Sequence, residues 1–187
     1  MKRIIEPAFV WPPKAGRGYF GGYAGVGMNT TTSTPALDKL YVVPLVFPTA
    51  AIIDKLQIQV TTLASNGVAR MGVYADNGDL YPGALLVDGG EVSTATTGFK
   101  VVDITDINMN AREVLWLTSL FGVAAPVVAA LGTSPTMGIW GSDPGVDSAP
   151  AGILRATQGY GALPATFPVS TDYSTVAYSM MQAIIKA

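Results

Sequence analysis

The chain has 187 residues, 49% apolar and only 13% charged, with a formal net charge of -2 and a pI near 4.9. That length suits one domain able to bury a core, and the charge content lies well below the usual quarter or so. Cysteine and histidine are both absent, which excludes disulfides, thiolate nucleophiles, zinc–thiolate or imidazole sites and every histidine-based triad. The 11 basic residues are scattered, so no electrostatic footprint for nucleic acid or an anionic membrane exists.

In chain order, Lys2 and Arg3 are followed by Ile4 and Ile5, but Glu6 and Pro7 end the apolar run, and no signal peptide is expected. Residues 1–35 read as an arm, rich in glycine and aromatics and without a period of 2 or 3.6. Phe9, Trp11, Tyr19, Phe20 and Tyr23 are too many large apolar groups for a free tail. They are the candidate partner-binding residues, docking on a neighbouring subunit or back on their own domain.

Strand signals fill residues 36–187. LYVVPLVF (40–47) is β-branched and aromatic, with Pro44 marking an edge or bulge. DKLQIQVT (54–61) alternates Leu56, Ile58 and Val60 against Lys55, Gln57 and Gln59, the pattern of a half-buried strand. Further strands are expected at 69–75, where Gly72 implies a bulge or close neighbour, and at 84–87, 99–104, 113–121 and 137–140. Residues 175–185 end in SMMQAII, helical by propensity, but the β-branched and aromatic residues before it favour a strand. The uncharged span 114–142 is too broken by Gly122, Pro126, Gly132 and Pro135 to cross a membrane as a helix. Within it, residues 121–140 are expected to supply core strands and contacts at a symmetry axis. Asn-Gly (77–78), Pro-Gly (82–83), Gly-Gly (89–90) and Asp-Pro-Gly (143–145) punctuate the strands as turns. Many short strands with dense turns and no helical period define an all-β, jelly-roll-like antiparallel sandwich with an extended N-terminal arm.

Residues 68–90, VARMGVYADNGDLYPGALLVDGG, carry most of the functional information. Their order is a strand ending R-M-G-V-Y, an A-D-N-G-D turn, a P-G-A-L-L strand and an acidic Gly-Gly turn. Upstream stand LYVVP (40–44) and IDKL (53–56), and downstream Trp116-Leu117. This order resembles a β-sandwich module of bacteriophage tail-fibre and head-decoration proteins over residues 40–121. The turn 108–112, Asn-Met-Asn-Ala-Arg, departs from the module's usual Pro-Gly there. The resemblance implies a non-enzymatic virion structural protein, made in the host cytoplasm and placed on the virion surface, capsid or tail. No heptad, collagen-like triplet or β-helix repeat supplies a fibre shaft, which favours a capsid decoration (cement) or head-surface protein. Its expected partners are copies of itself, as a homotrimer, and other virion proteins such as the major capsid protein. The alternative it implies is a tail-fibre or baseplate module that binds a host surface glycan.

Four local readings compete with plain structure. Asp76, Asn77 and Asp79 offer closely spaced oxygens suited to calcium, although no bidentate Glu completes the twelve-residue loop. Asp88 and Glu91 form a carboxylate pair of the kind a polysaccharide hydrolase needs. Tyr74, Tyr81, Trp140 and Tyr160 offer aromatic faces for a glycan. GYAGVG (22–27) matches glycine spacings of phosphate loops, with no strand before it and no Lys-Ser/Thr after it. The expected catalytic set and cofactor set are both empty.

Overall fold

A computed structural model describes residues 12–20, 30–131, 153–170, 172–174, 178–179 and 181–187. The protein is an antiparallel β-sandwich, and no helix occurs among the described residues. In chain order the strands are β1 (Gly18–Phe20), β2 (Thr30–Ser33), β3 (Lys39–Val46), β4 (Ala51–Thr62), β5 (Val68–Asp76), β6 (Pro82–Ser93), β7 (Gly98–Met109), β8 (Val114–Gly122), β9 (Val127–Leu131), β10 (Ile153–Thr157), β11 (Asp172–Ser174), β12 (Tyr178–Ser179) and β13 (Gln182–Ile185).

The back sheet runs β11-β10-β3-β8-β5-β6. The front sheet runs β1-β13-β4-β9-β12, with β7 on the other side of β4 and β2 beside β9. From β3 to β10 the chain crosses between sheets at every connection except the β5–β6 hairpin, a jelly-roll-like habit. The main core lies between the sheets and holds Leu45, Phe47, Ile53, Ile58, Leu117 and Phe121. In β4 the alternation works as the sequence dictates: Leu56, Ile58 and Val60 are buried while Gln57 and Gln59 face out. Inward spacing slips only at Ile53–Lys55, where the register with β7 shifts.

Among the described residues β10 pairs β3 over Lys39–Val42, and Pro44 lies beyond that pairing, opposite Trp116 of β8. Gly72 answers to both of its expectations. The β5–β6 register shifts between Arg70 and Gly72, and a Cβ there would lie 2.3 Å from Leu163 Cδ1 and 2.6 Å from the Val87 carbonyl oxygen. The expected strands at 40–47, 54–61, 69–75, 84–87, 99–104 and 113–121 are all present, several of them longer than expected. The end of the chain is strand in β12 and β13, and of 121–140 the part 127–131 is β9; the strand expected at 137–140 lies outside the described residues.

The segment expected as an arm enters the sandwich. β1 pairs β13 and β2 pairs β9 through complementary antiparallel registers. The polar run NTTTSTP (29–35) thus contains the strand β2, and its threonines suit one through their β-branching.

A second apolar cluster sits outside the sandwich. Leu40, Val42, Tyr74, Trp116, Leu120 and Leu154 on the outer face of the back sheet are covered by Leu163 and Phe167. Those two belong to residues 158–170, a strap laid across the sheet. It is fastened to β6 by Leu85 N–H to the Ala165 carbonyl and Phe167 N–H to the Gly83 carbonyl, each 2.9 Å.

Candidate functional site

The described residues proposed as glycan contacts, calcium ligands or a carboxylate pair lie in β5, in β6, in the turn between them or in the strap above them. Tyr74 is fully buried in β5. Its hydroxyl donates to the Pro164 carbonyl at 2.9 Å, and its ring meets Phe167 edge to face at 5.7 Å. Burial, and secondarily the Asp88 charge, push its hydroxyl well above the usual tyrosine range. Tyr74 therefore offers no face to a glycan; it is a core residue holding the strap.

Tyr81 has a similar task. Its ring packs on Phe167 at 5.9 Å, and its hydroxyl accepts from Ser170 N–H (2.7 Å) while donating to the Ser170 carbonyl (3.0 Å). Tyr160 lies with its ring over Gly122, where an added Cβ would stand 2.2 Å from the ring carbon Cγ. Its amide donates to Asp38 Oδ1 and its hydroxyl to Glu91 Oε2, each 2.9 Å. Burial first, and then the Glu91 carboxylate, raise its hydroxyl above the ordinary range. The aromatic platform is thus dispersed into strap anchors, and Trp140 lies outside the described residues.

The acidic pair is structural as well. Asp88 accepts from Arg70 Nη1 (2.9 Å to each oxygen), from Leu163 N–H (3.0 Å) and from Gly90 N–H (2.9 Å). Burial works against its charge, but these donors outweigh burial and hold the carboxyl below the usual range. A carboxylate so saturated is a poor general acid, and Glu91 is engaged by Tyr160. The two carboxylates anchor one strap; they do not face each other across a cleft.

Asp76 and Asn77 make turn bonds. Asp76 Oδ1 accepts from Gly78 N–H and Asn77 Oδ1 from Asp79 N–H, both at 2.8 Å, with Gly78 at φ 101°. Asp76 Oδ2 accepts from the Trp116 indole N–H at 2.9 Å. The side-chain oxygens that Asp76 and Asn77 offer to calcium are thereby taken up by Asx turns and by the buried indole, while Asp79 enters the turn through its amide. Among the described residues no group of three or more acidic ligands converges.

Of the arm aromatics, Tyr19 packs edge to face on Phe47 at 5.3 Å and its hydroxyl accepts from Lys14 N–H, so it is a residue of its own domain. Phe20 lies in β1. Phe9, Trp11 and Tyr23, and the whole of the glycine-spaced GYAGVG with them, lie outside the described residues.

What the sequence reading left out is the outer face of the front sheet. Register places Gln182 beside Gln57, Val101 beside Gln57, and Phe99 beside Gln59, all facing solvent. Phe99 is 59% exposed and Val101 45%. A shallow depression at this place is lined by Gln57, Ile58, Gln59, Phe99, Ala129 and Gln182. The alternation in β4 already put both glutamines on the solvent side; what the sequence lacked was the pairing that adds Gln182 and Phe99.

No family model matches the chain, and no curated protein does. Among solved structures the chain is similar to chitosan-binding module 1 of a chitosanase/glucanase from Paenibacillus sp. IK-5. The identity is 10%, with 57% of this chain and 76% of that one covered and a TM-score of 0.35. A likeness that distant carries no argument about this chain.

Proposed function

We infer that this chain is a non-enzymatic structural protein of a bacteriophage particle, a capsid decoration or head-surface subunit that acts through subunit contacts. One observation supports the non-enzymatic half: Tyr74, Tyr81, Tyr160, Asp76, Asp88 and Glu91 are tied into internal bonds. Apolar side chains meanwhile remain outside, including Leu86 on β6 and Val123 and Val169 in loops. A surface of that kind supports action by buried area, and an interface of standard size, about 1,600 Å² in total, is ample for specific assembly.

The particle itself comes from the resemblance over 40–121. The residues that carry that resemblance lie in strands, R-M-G-V-Y in β5, P-G-A-L-L in β6 and Trp116-Leu117 in β8. A homotrimer bound to the major capsid protein is the assembly this reading favours.

Quantitative mass spectrometry of purified particles, referenced to the major capsid protein, tests it. A near-stoichiometric ratio is the expected result. A ratio far below that moves the subunit to the tail or a vertex, and absence from the particle overturns the reading.

A further inference from the structure

The front sheet forks. β7 occupies one side of β4 along Ala51–Val60. On the other side β13 pairs with Ile53–Gln57, and β9 takes over at Val60 and Thr62. Between those two partners, beside Ile58 and Gln59, the sheet has a joint, and the depression described above lies on it.

We propose that this joint is a binding site for a neutral oligosaccharide. Among the described residues the lining carries no charge. The nearest charged groups on the face, Lys55 and Asp103, sit one step further along the paired strands and neutralise each other in an ion pair. An ionic ligand therefore finds no partner here, and a neutral one is not repelled.

The side chains present supply what a sugar ring requires. Phe99 offers an exposed aromatic face to the C–H side of a pyranose, while the amides beside it address hydroxyls. Gln57 and Gln182 bond to each other through Nε2 and Oε1, which leaves the Gln57 carbonyl and the Gln182 amino group without a protein partner among the described residues. An acceptor next to a donor matches a pair of vicinal hydroxyls, since each hydroxyl both donates and accepts. Turning both amides over preserves the match.

Gly18 leaves room for this pair. It lies on β1 alongside the two glutamines, and a Cβ there would stand 2.5 Å from Gln182 Oε1. Ala129 keeps the opposite wall low. A site so open holds one or two sugar units weakly, and repeated copies on one assembly multiply that weak binding by avidity. The site does not depend on the particle reading; it belongs to the sheet of a single chain.

The probes are neutral soluble polysaccharides (dextran, mixed-linkage β-glucan, galactomannan) in affinity electrophoresis, and the corresponding hexasaccharides in amide-detected NMR titrations of the full chain. Retardation by at least one polymer is expected, with shifts centred on Gln57, Gln59, Phe99 and Gln182. Phe99→Ala and the double variant Gln57→Ala/Gln182→Ala are each expected to weaken it about tenfold or more. Leu86→Ala, an equally exposed change on the back sheet, is expected to leave it intact. Gly18→Ala supplies a milder test, since it crowds the amide pair without removing a contact group. The proposal is overturned by no retardation and no shifts across the panel, by shifts that cluster elsewhere, or by retardation that Phe99→Ala leaves unchanged. It is equally overturned if Phe99→Ala alters only the sedimentation of the oligomer, because the patch is then a subunit contact.

Discussion

Asp76 shows how a single side chain can look like a ligand and act as a fastener. One oxygen closes the Asp76–Gly78 turn and the other holds the Trp116 indole, which is fully buried. Asp76→Ala removes both bonds, and the expected loss is about 1–3 kcal/mol in chemical denaturation. Millimolar calcium is expected to leave the midpoint of the wild-type chain unchanged; a calcium-dependent rise that Asp76→Ala abolishes would restore the metal reading. Gly72 is constrained more tightly still. Its missing Cβ makes room for both Leu163 and the Val87 carbonyl. Leu163 can shift, but the backbone carbonyl cannot easily do so. Gly72→Ala is expected to cost about 1–3 kcal/mol through overpacking, read as a lower denaturation midpoint. Sequence reasoning reached Gly72 because a glycine inside a strand has few explanations. It had no access to Leu80 and Val123, which adopt φ values of 55° and 63°. Such angles are uncommon for any residue and especially so for β-branched valine, so nothing in the local residue types announces them.

At the level of elements, alternation located the strands, because a half-buried sheet imposes a period of two whatever its partners are. Pairing was beyond its reach. β1 and β2 are short segments within a glycine- and threonine-rich stretch, and their stability comes from β13 and β9, far away in sequence. The strap was missed for the same reason: residues 158–170 have no period, and they are ordered by carboxylates and tyrosines contributed by β5, β6 and the turns beside them. Tyr74, Tyr81, Tyr160 and Asp88 fasten the strap through counterparts 69 to 122 positions away. The strap should consequently respond to acid. Asp88 titrates below its unfolded value, so its contribution is complete above the ordinary carboxylate range and is lost as the pH falls through its own lowered value. Amide exchange at Leu163 is expected to accelerate, relative to the front-sheet amides, as the pH enters that window. Asp88→Asn is expected to start from a looser strap at neutral pH and to flatten that acid dependence. Equal acid sensitivity in the variant would assign the effect to other carboxylates.

For the whole molecule, the question is where the sandwich ends and the attachment element begins. Gly16 N–H donates to the Ile185 carbonyl and Ile185 N–H to the Arg17 carbonyl, and from there β1 runs along β13. Tyr19 then caps the core through Phe47. The boundary of the folded unit thus lies ahead of residue 16, well inside the segment that composition alone assigns to an arm. Two truncations separate the roles. Removing residues 1–11 leaves β1, its ladder with β13 and the Tyr19–Phe47 contact in place. Removing residues 1–20 deletes the β1 ladder and uncovers Phe47. The expected cost is about 2–4 kcal/mol, built from one large side chain and the strand-edge bonds. If the first eleven residues carry attachment, the shorter truncation abolishes binding to particles while the sandwich stays intact, because Phe9 and Trp11 leave with it. Normal attachment by a folded 12–187 chain would exclude them as anchors and turn the search toward the apolar residues exposed on the sandwich itself.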